Sequence, residues 1–182
     1  SHFIHWEGRT FCDKAHPRVG FLTPPTFDVS LRDIFLPLHL GGRLCVPEPG
    51  LVQRPAQLVA FLLQEGITHL HLVPSVFRLL LTELESRKEA PPFFKDLKTI
   101  LFAGEPLYGK DLSRWRALGC AAAELVNLYG PSETTLAKLC HRIGDAVYQD
   151  REIVPLGHRI DNSAAMIVKG SRLCRTGEIG EI

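Results

Sequence analysis

The sequence predicts an α/β protein in which a mainly parallel sheet is covered by helices and followed by a β-rich C-terminal segment. The first observation is that short apolar runs alternate with segments whose apolar residues recur at helical spacing. The second is that the connections between these elements are short, which favours β-α-β units. The third is a change after Ala137, where prolines, glycines and short alternating runs replace the helical pattern.

Helices are predicted where apolar residues lie three and four positions apart. The predicted helices span residues 30–40, 55–66, 74–87 and 107–118. Ser30 can cap the first of them and Gly41 can end it, Pro55 suits the first turn of the second, and Gly119 ends the last. In the first helix the apolar residues that fall at helical spacing are Leu31, Ile34, Phe35 and Leu38.

Strands are predicted between these helices, where β-branched and other apolar residues form short runs. The predicted strands span residues 43–47, 69–73, 99–103 and 123–128, and a proline-rich connection covers residues 90–94. The later alternating runs cover residues 139–143, 164–168 and 178–182. We therefore expect an α/β portion over residues 1–137 and the start of a β-rich portion over residues 138–182, with the domain incomplete at both ends.

Composition excludes several classes of function. The chain has 182 residues and a net charge of +1, from 21 basic and 20 acidic side chains, so it offers no electrostatic surface for nucleic acid or for an acidic membrane. No apolar run approaches the roughly 20 residues that a membrane-spanning helix needs, and no secretory leader is present, which favours a cytoplasmic location.

The cysteines and histidines predict packing rather than metal binding. The five cysteines are scattered, so a zinc site or a disulfide framework is not expected, and Cys45 lies in an apolar run as a buried small residue. His69 and His71 share one face of a strand, but neither a cysteine nor a carboxylate is close to them in sequence. This pattern indicates core packing or pocket lining.

The run NLYGPSETT at residues 127–135 is the most informative part of the sequence. An apolar strand ends at a Gly-Pro turn and is followed by hydroxyls and a carboxylate, at the kind of position where α/β proteins bind ligands. Tyr129 can stack on a heterocycle, Ser132 can donate to a phosphate, and Glu133 is an oxygen ligand suited to Mg²⁺. The alternative is a strand followed by a helix that Ser132 caps, and the residues alone do not decide between the two.

This run resembles the N-x-Y-G-P-T/S-E-T-T segment of adenylate-forming enzymes, above all the adenylation domains of nonribosomal peptide synthetases. Four further segments resemble motifs of the same family in the same order. They are FDVSLRDIF at 27–35, LFAGEPL at 101–107, VPLGHRIDN at 154–162 and GEIGEI at 177–182. The resemblance implies the large N-terminal domain of an enzyme that joins an amino acid to AMP and passes it to a thiol.

The resemblance also implies roles for individual residues. Ser132 and Glu133 would be catalytic, with Glu133 as the Mg²⁺ ligand. The ATP or AMP site would comprise Gly104, Glu105, Pro106, Asn127, Leu128, Tyr129, Gly130 and Ser132. The substrate pocket would comprise Asp28, Val29, Arg32, His71, Leu101, Ala103, Leu128, Leu136 and Ala137. The expected partners are a carrier-protein domain bearing phosphopantetheine and other synthetase domains, in addition to the amino acid.

Within this pocket Asp28 would pair with the α-ammonium group of the amino acid, and Arg32 departs from the family's usual apolar or aromatic residue. Arg32 and His71 together suggest a polar pocket for a substrate that carries a carboxylate or another acceptor. In the alternatives, Arg32 points outward, or it neutralises Asp28, four residues away, as a surface pair.

The family's phosphate-binding loop and catalytic lysine are not found in the sequence, so we expect a central fragment that is inactive by itself. Two other functions stay open at this point. One is an acyl-CoA or acyl-carrier-protein ligase of the same superfamily, and the other is a non-catalytic scaffold with the adenylation fold.

Overall fold

The computed structural model describes residues 2–12, 16–87, 94–119 and 123–182. Within these residues the helices are α1 (His2–Phe11), α2 (Ser30–His39), α3 (Pro55–Gln64), α4 (Pro74–Ser86) and α5 (Gly109–Ala117). The strands are β1 (Arg18–Gly20), β2 (Arg43–Cys45), β3 (His69–Leu72), β4 (Thr99–Phe102), β5 (Glu124–Tyr129), β6 (Leu139–Arg142), β7 (His158–Arg159), β8 (Val168–Lys169) and β9 (Arg172–Leu173). Single turns of 3₁₀ helix cover Leu51–Gln53 and Ser132–Thr134.

One sheet organises the described part of the chain, and its strand order is β2-β1-β3-β4-β5-β6-β7. The pairings from β2 through β5 are parallel, whereas β6 and β7 are antiparallel to their neighbours. Strands β8 and β9 form a separate hairpin. The predicted α/β class with a mainly parallel sheet is confirmed. The division at residue 137 stays a prediction, although β6 and β7 continue the sheet that the earlier strands begin.

The sheet is covered by helices on both faces, as parallel sheets require because both sides of their strands are apolar. Helices α3, α4 and α5 cover one face, where Phe77 of α4 packs against Phe102 and Trp115. Helices α1 and α2 cover the other face, and Leu101 and Val126 lie in that second core. Adjacent strand residues alternate between the two cores, which matches the period of two in an extended chain.

Four of the described helices and strands were not predicted from the sequence, namely α1, β1, β7 and β9. The runs predicted at 164–168 and 178–182 do not form full strands: β8 begins only at Val168, and Glu181 makes an isolated bridge to it. Helix α1 buries Phe3, Trp6 and Phe11, and three-residue strand β1 inserts between β2 and β3. The sequence of β1 is Arg-Val-Gly, too short to show an alternating pattern, and its strand conformation depends on neighbours far along the chain. The predicted 90–94 connection falls mostly outside the described residues, as does Cys120.

Helix α2 is oriented opposite to the expectation from its apolar residues. Leu31, Phe35 and Leu38 are exposed, while the buried side holds Arg32 and Asp33, together with Leu36 and Pro37. Ser30 does not cap the helix: Val29 precedes the first turn without a side-chain hydrogen bond, and Ser30 is the buried first residue. The polar residues turn inward because charged partners from α1 and β3 meet them there.

None of the helices that the structure describes has the length and apolar character needed to cross a membrane. The four cysteines in the described residues are free thiols, and Cys45 is buried as expected from its apolar surroundings.

Candidate functional site

The carboxyl ends of β4 and β5 place two polar loops side by side. The strands are parallel neighbours in a register that pairs Phe102 with Asn127. The residues that follow, 103–106 after β4 and 128–131 after β5, therefore leave the same edge of the sheet together. This edge is where open parallel sheets bind ligands. The structure thus brings together the two segments that the sequence assigned to a nucleotide.

Asn127 fixes the position of a third segment at this edge. The side chain is 3% exposed, and its Nδ2 donates to the backbone carbonyls of Val154 and Pro155 over 3.1 and 3.0 Å. Two carbonyls can only accept, so the amide nitrogen must face them and both of its protons are used. The Oδ1 atom is left as the acceptor that could receive an amino group, such as the one on adenine.

The 130–135 loop follows Tyr129, which ends β5 and is 38% exposed, so its ring has an open face. A Cβ atom at Gly130 would lie 2.6 Å from the Cα of Ala137 and 2.9 Å from the nitrogen of Lys138, because the returning chain packs against the glycine backbone. Thr135 and Leu136 both have positive φ, at 61° and 64°. Non-glycine residues rarely adopt this conformation, and when they do it often marks a functional loop.

Ser132 and Glu133 are both exposed in this loop. Ser132 begins a three-residue 3₁₀ turn that has no side-chain cap, so the alternative of an α-helix capped by Ser132 is wrong. The Oγ1 of Thr134 donates to the carbonyl of Pro131 over 3.0 Å, which stabilises the turn and leaves the Ser132 hydroxyl available.

The Glu133 carboxylate makes no hydrogen bond or ion pair with the described residues. The described residues hold no group of three or more histidine, cysteine or carboxylate side chains able to bind a metal. Mg²⁺ commonly takes one or two carboxylates, with substrate phosphates and water as the remaining ligands. The free Glu133 carboxylate, next to the exposed hydroxyl of Ser132, is compatible with that requirement.

The carboxylate of Glu105, in contrast, is hydrogen-bonded within the protein. It accepts hydrogen bonds from the backbone nitrogen of Ser75 at 2.9 Å and from the Ser75 hydroxyl at 2.7 Å, at the start of α4. Pro106 offers its carbonyl to Arg78 over 2.8 Å. Gly104 has a φ of 91° and packs near Val73. A ligand at this loop would therefore meet its backbone and not the Glu105 side chain.

The predicted pocket residues lie on the face of the sheet that α1 and α2 cover. Six of them belong to a single apolar cluster, with four buried in it and two half-buried against it. The buried members are Leu101, Leu128, Leu136 and Ala137, and the half-buried members are Val29 and Ala103. The structure thus gathers residues that are more than 100 positions apart in sequence.

His71 projects from β3 into this side of the sheet and meets two carboxylates. Its Nε2 contacts the carboxylate of Glu7 from α1, and its Nδ1 lies 2.7 Å from Oδ1 of Asp33 from α2. The same Asp33 oxygen is 3.7 Å from Nε of Arg32. All four side chains are at most 5% exposed. We call Glu7, His71, Asp33 and Arg32 the buried charge row.

Burial opposes a charge on His71, and Arg32 adds to that effect. The carboxylates of Glu7 and Asp33 outweigh both, so the pKa of His71 is raised above its ordinary value. His69 behaves in the opposite way: burial lowers its pKa, and its Nε2 lies 3.0 Å from the carbonyl of Phe11. Neither histidine has a carboxylate close to it in sequence, but the fold brings two carboxylates, Glu7 and Asp33, into contact with His71.

Sequence reasoning did not assign a role to Glu7 or to Asp33. Asp33 lies inside the FDVSLRDIF segment, directly after Arg32, which was assigned to the pocket. This position was the one feature of the sequence that could have indicated a role for Asp33. Glu7 belongs to the helix that was not predicted, and nothing in the sequence links it to His71, which is 64 residues away.

Asp28 lies apart from the buried charge row. It is half-buried in the turn before α2, where its carbonyl accepts a hydrogen bond from Leu31 over 3.0 Å. Its carboxylate makes no ion pair with Arg32 or with another described residue. The alternative of an Asp28–Arg32 surface pair is therefore not observed, and Arg32 points into the protein, not outward.

Comparison with known proteins gives consistent similarities. A family model described as "AMP-binding enzyme" matches residues 3–182. The L-2-aminoadipate reductase large subunit of Eremothecium gossypii is 28% identical, over 100% of this chain and 13% of the reductase. The L-proline--(L-prolyl-carrier protein) ligase of Pseudomonas fluorescens is 31% identical, over 99% of this chain and 35% of the ligase.

Among solved structures, the nonribosomal peptide synthetase FmoA3 in its α-methyl-L-serine-AMP-bound form superposes with a TM-score of 0.82. The two are 29% identical, over 93% of this chain and 19% of the synthetase. The chain thus spans about a third or less of the length of each of these proteins.

Proposed function

The chain belongs to the AMP-binding enzyme family, and we propose that the protein containing it activates an amino acid with ATP and transfers it to the thiol of a carrier protein. The observation that carries this proposal is the edge formed by β4 and β5, where Tyr129, the free Glu133 carboxylate and the backbone of residues 104–106 lie beside the apolar pocket cluster. The carrier protein is supported by the name of the proline ligase relative, and the aminoacyl-AMP intermediate by the ligand in the synthetase structure.

In the first step an oxygen of the amino-acid carboxylate attacks the α-phosphorus of ATP. A phosphorus–oxygen bond forms, the bond to the bridging oxygen of the β-phosphate breaks, and pyrophosphate leaves. A thiolate of the carrier then attacks the carbonyl carbon, which gives a thioester and releases AMP. Much of the rate in such reactions comes from alignment and from stabilisation of phosphate charge.

Different residues of this chain would contact different parts of the nucleotide. The open face of Tyr129 stacks on adenine, Oδ1 of Asn127 accepts from its amino group, and the hydroxyl of Ser132 donates to the α-phosphate. Glu133 would hold Mg²⁺ together with phosphate oxygens, and the ion when bound neutralises phosphate charge. The exposed position of Ser132 and Glu133 in the 3₁₀ turn supports these assignments.

The same geometry suggests the class of amino acid. The free carboxylate of Asp28 suits an α-ammonium group, and the Nε of buried Arg32 has no hydrogen-bond partner among the described residues. A buried guanidinium binds a carboxylate strongly, since both oxygens can be engaged. We therefore assign the pocket to an amino acid with a carboxylate in its side chain. The name of the reductase relative specifies such an amino acid, L-2-aminoadipate.

The test is ATP–pyrophosphate exchange by the full-length protein with dicarboxylic and apolar amino acids. Dicarboxylic amino acids are expected to be preferred. The Asp28→Asn change is expected to lower kcat/KM on the order of 30-fold or more, because the ammonium group of the bound substrate would lose its charged partner. The Arg32→Met variant should lose the preference between substrate classes. Glu85→Gln alters an exposed ion pair with Arg114 and serves as the control. A preference of the wild type for aliphatic or aromatic amino acids contradicts the assignment.

A further inference from the structure

The buried charge row contains two groups, Glu7 and Asp33, that touch neither ATP nor amino acid in the scheme above. The row runs from α1 through β3 to α2, with contacts in the order Glu7, His71, Asp33, Arg32. Buried charges that lack compensation destabilise a protein strongly, so a row of this kind persists only where its members balance one another. The row ends at Arg32, the residue assigned to the substrate side chain.

The contacts define the protonation of the row. Nε2 of His71 is hydrogen-bonded to Glu7, whereas Nδ1 lies close to Asp33 without the alignment of a hydrogen bond. A negative charge beside each ring nitrogen favours the N–H form of both. His71 is then a cation, and negative and positive charges alternate along the row. Two carboxylates, one imidazolium and one guanidinium give no net charge.

Asp33 is shared unequally between its two cationic neighbours. Its Oδ1 is 2.7 Å from Nδ1 of His71 but 3.7 Å from Nε of Arg32. A neutral His71 with its proton on Nδ1 would still present this N–H to the Asp33 oxygen, but a neutral N–H attracts a carboxylate less than an imidazolium does. Asp33 would then shift toward Arg32, its other cationic neighbour. The charge on His71 therefore decides how strongly Arg32 is compensated within the protein.

We propose that Glu7 is a positioning residue for substrate recognition: by holding His71 as a cation, it keeps Asp33 on the histidine and leaves the Arg32 guanidinium for the carboxylate of the substrate side chain. This inference rests on the proposed function, because it requires a substrate with such a carboxylate. Glu7 contacts neither the substrate nor Arg32 and acts through the two residues between them.

The other groups near His71 are consistent with this role. His69 lies two residues along the strand, and the thiol of Cys12 is 3.3 Å from its Nε2. Burial keeps His69 uncharged, and it raises the pKa of Cys12 to about 12, so neither adds a charge near neutral pH. Glu7 from α1 and Asp33 and Arg32 from α2 are then the charged groups facing His71 among the described residues.

The first experiment measures ATP–pyrophosphate exchange by the full-length Glu7→Gln variant, with the preferred dicarboxylic amino acid as substrate. The KM for that amino acid is expected to rise about 10-fold while kcat stays within about twofold, because the change affects binding of the side chain and not the reacting carboxylate. The KM of the variant should rise further as the pH increases from about 6 to about 8.5, whereas that of the wild type stays level. An unchanged KM and a flat pH profile overturn the inference.

The double variant Glu7→Gln/Asp33→Asn separates this role from a purely structural one. Without the Asp33 charge nothing competes for Arg32, so the KM is expected to return to within about threefold of the wild-type value. A structural defect would instead grow with the second substitution, and a KM higher than that of Glu7→Gln overturns the proposal. Glu85→Gln is the matched control on an exposed ion pair.

Direct observation of His71 makes the test independent of turnover. Nitrogen-15 NMR of the imidazole at neutral pH should show both ring nitrogens protonated in the wild type and one protonated in Glu7→Gln. A neutral His71 in the wild type overturns the inference even if the variant folds poorly. If the wild type activates no dicarboxylic amino acid but His71 is a cation, the proposed substrate class has failed, not the electrostatic role of Glu7.

Discussion

Gly130 lies at the tightest backbone approach in the candidate nucleotide site, and its replacement by alanine gives a direct test of the loop geometry. The added Cβ would be 2.6 Å from the Cα of Ala137 and closer still to the carbonyl oxygen of Leu136. Real Cβ contacts are not shorter than 3.0 Å, so the returning chain must move by at least 0.4 Å at Ala137. The obstacles are backbone atoms, which cannot rotate away as a side chain can.

The expected cost follows from comparison with two other glycines. Overpacking typically destabilises a protein by about 1–3 kcal/mol. Gly144 has a φ of 52° with open space around it, so Gly144→Ala incurs the left-handed conformation alone, about 1–2 kcal/mol. Gly157 combines a φ of 78° with a Cβ position 2.7 Å from the Cα of His141, so both effects apply. We expect the cost to be largest for Gly157→Ala.

Urea denaturation of the three variants, followed by circular dichroism, measures these costs as changes in the unfolding free energy at constant m-value. Each alanine also reduces the entropy of the unfolded chain, which offsets roughly 0.4–1 kcal/mol in all three variants alike. Gly130→Ala should therefore lose about 1–2 kcal/mol net despite its ordinary φ. A loss below about 0.5 kcal/mol would refute the close packing of the 130–135 loop against residues 136–138.

Three further outcomes are expected. The pKa of His71 is raised above 6.5, so the stability it contributes is complete below that pH and is lost as the pH rises through the raised value. The urea midpoint should therefore fall as the pH rises above about 6.5, and should fall less in Glu7→Gln. Phe77 is fully buried against Phe102 and Trp115, so Phe77→Ala should lower the unfolding free energy by about 3–5 kcal/mol in the same assay. Cys12 is 2% exposed and its pKa is raised to about 12, whereas Cys174 is half-buried. Iodoacetamide at about pH 8 should therefore label Cys174 and leave Cys12 unmodified, as measured by peptide mass spectrometry. Rapid labelling of Cys12 in the folded chain would contradict its burial.

Much of the sheet could be predicted because its elements are marked locally. Strands β3, β4 and β5 and helices α3 and α4 lie where the apolar patterns placed them, and the observed ends differ by no more than two residues. Pro55 indicated the start of α3 through a property of the residue itself, the absence of a backbone donor. The order of the strands in space had no such local signal.

The candidate site was predictable where it follows strand ends and not where it depends on long-range contacts. The loops after β4 and β5 lie together because parallel strands share an edge. The buried face of α2 was predicted wrongly, because an apolar stripe normally marks the face of a helix that packs against the core. Here Arg32 and Asp33 are buried because Glu7 and His71 compensate them, and that compensation is created only by the tertiary structure.

The position of β1 between β2 and β3 has a consequence for synthesis of the protein. Both of its neighbours come later in the chain, and its partner on the inner side is β3, which ends at Leu72. At typical rates of translation the ribosome needs roughly 3–10 s to add the ~50 residues between Gly20 and Leu72. During that interval β1 lacks its partner β3, and the apolar side chains of α1 lack the β4 and β5 residues that they pack against. These side chains are thus secured only once the later strands have been made, and until then a chaperone has an apolar surface to protect.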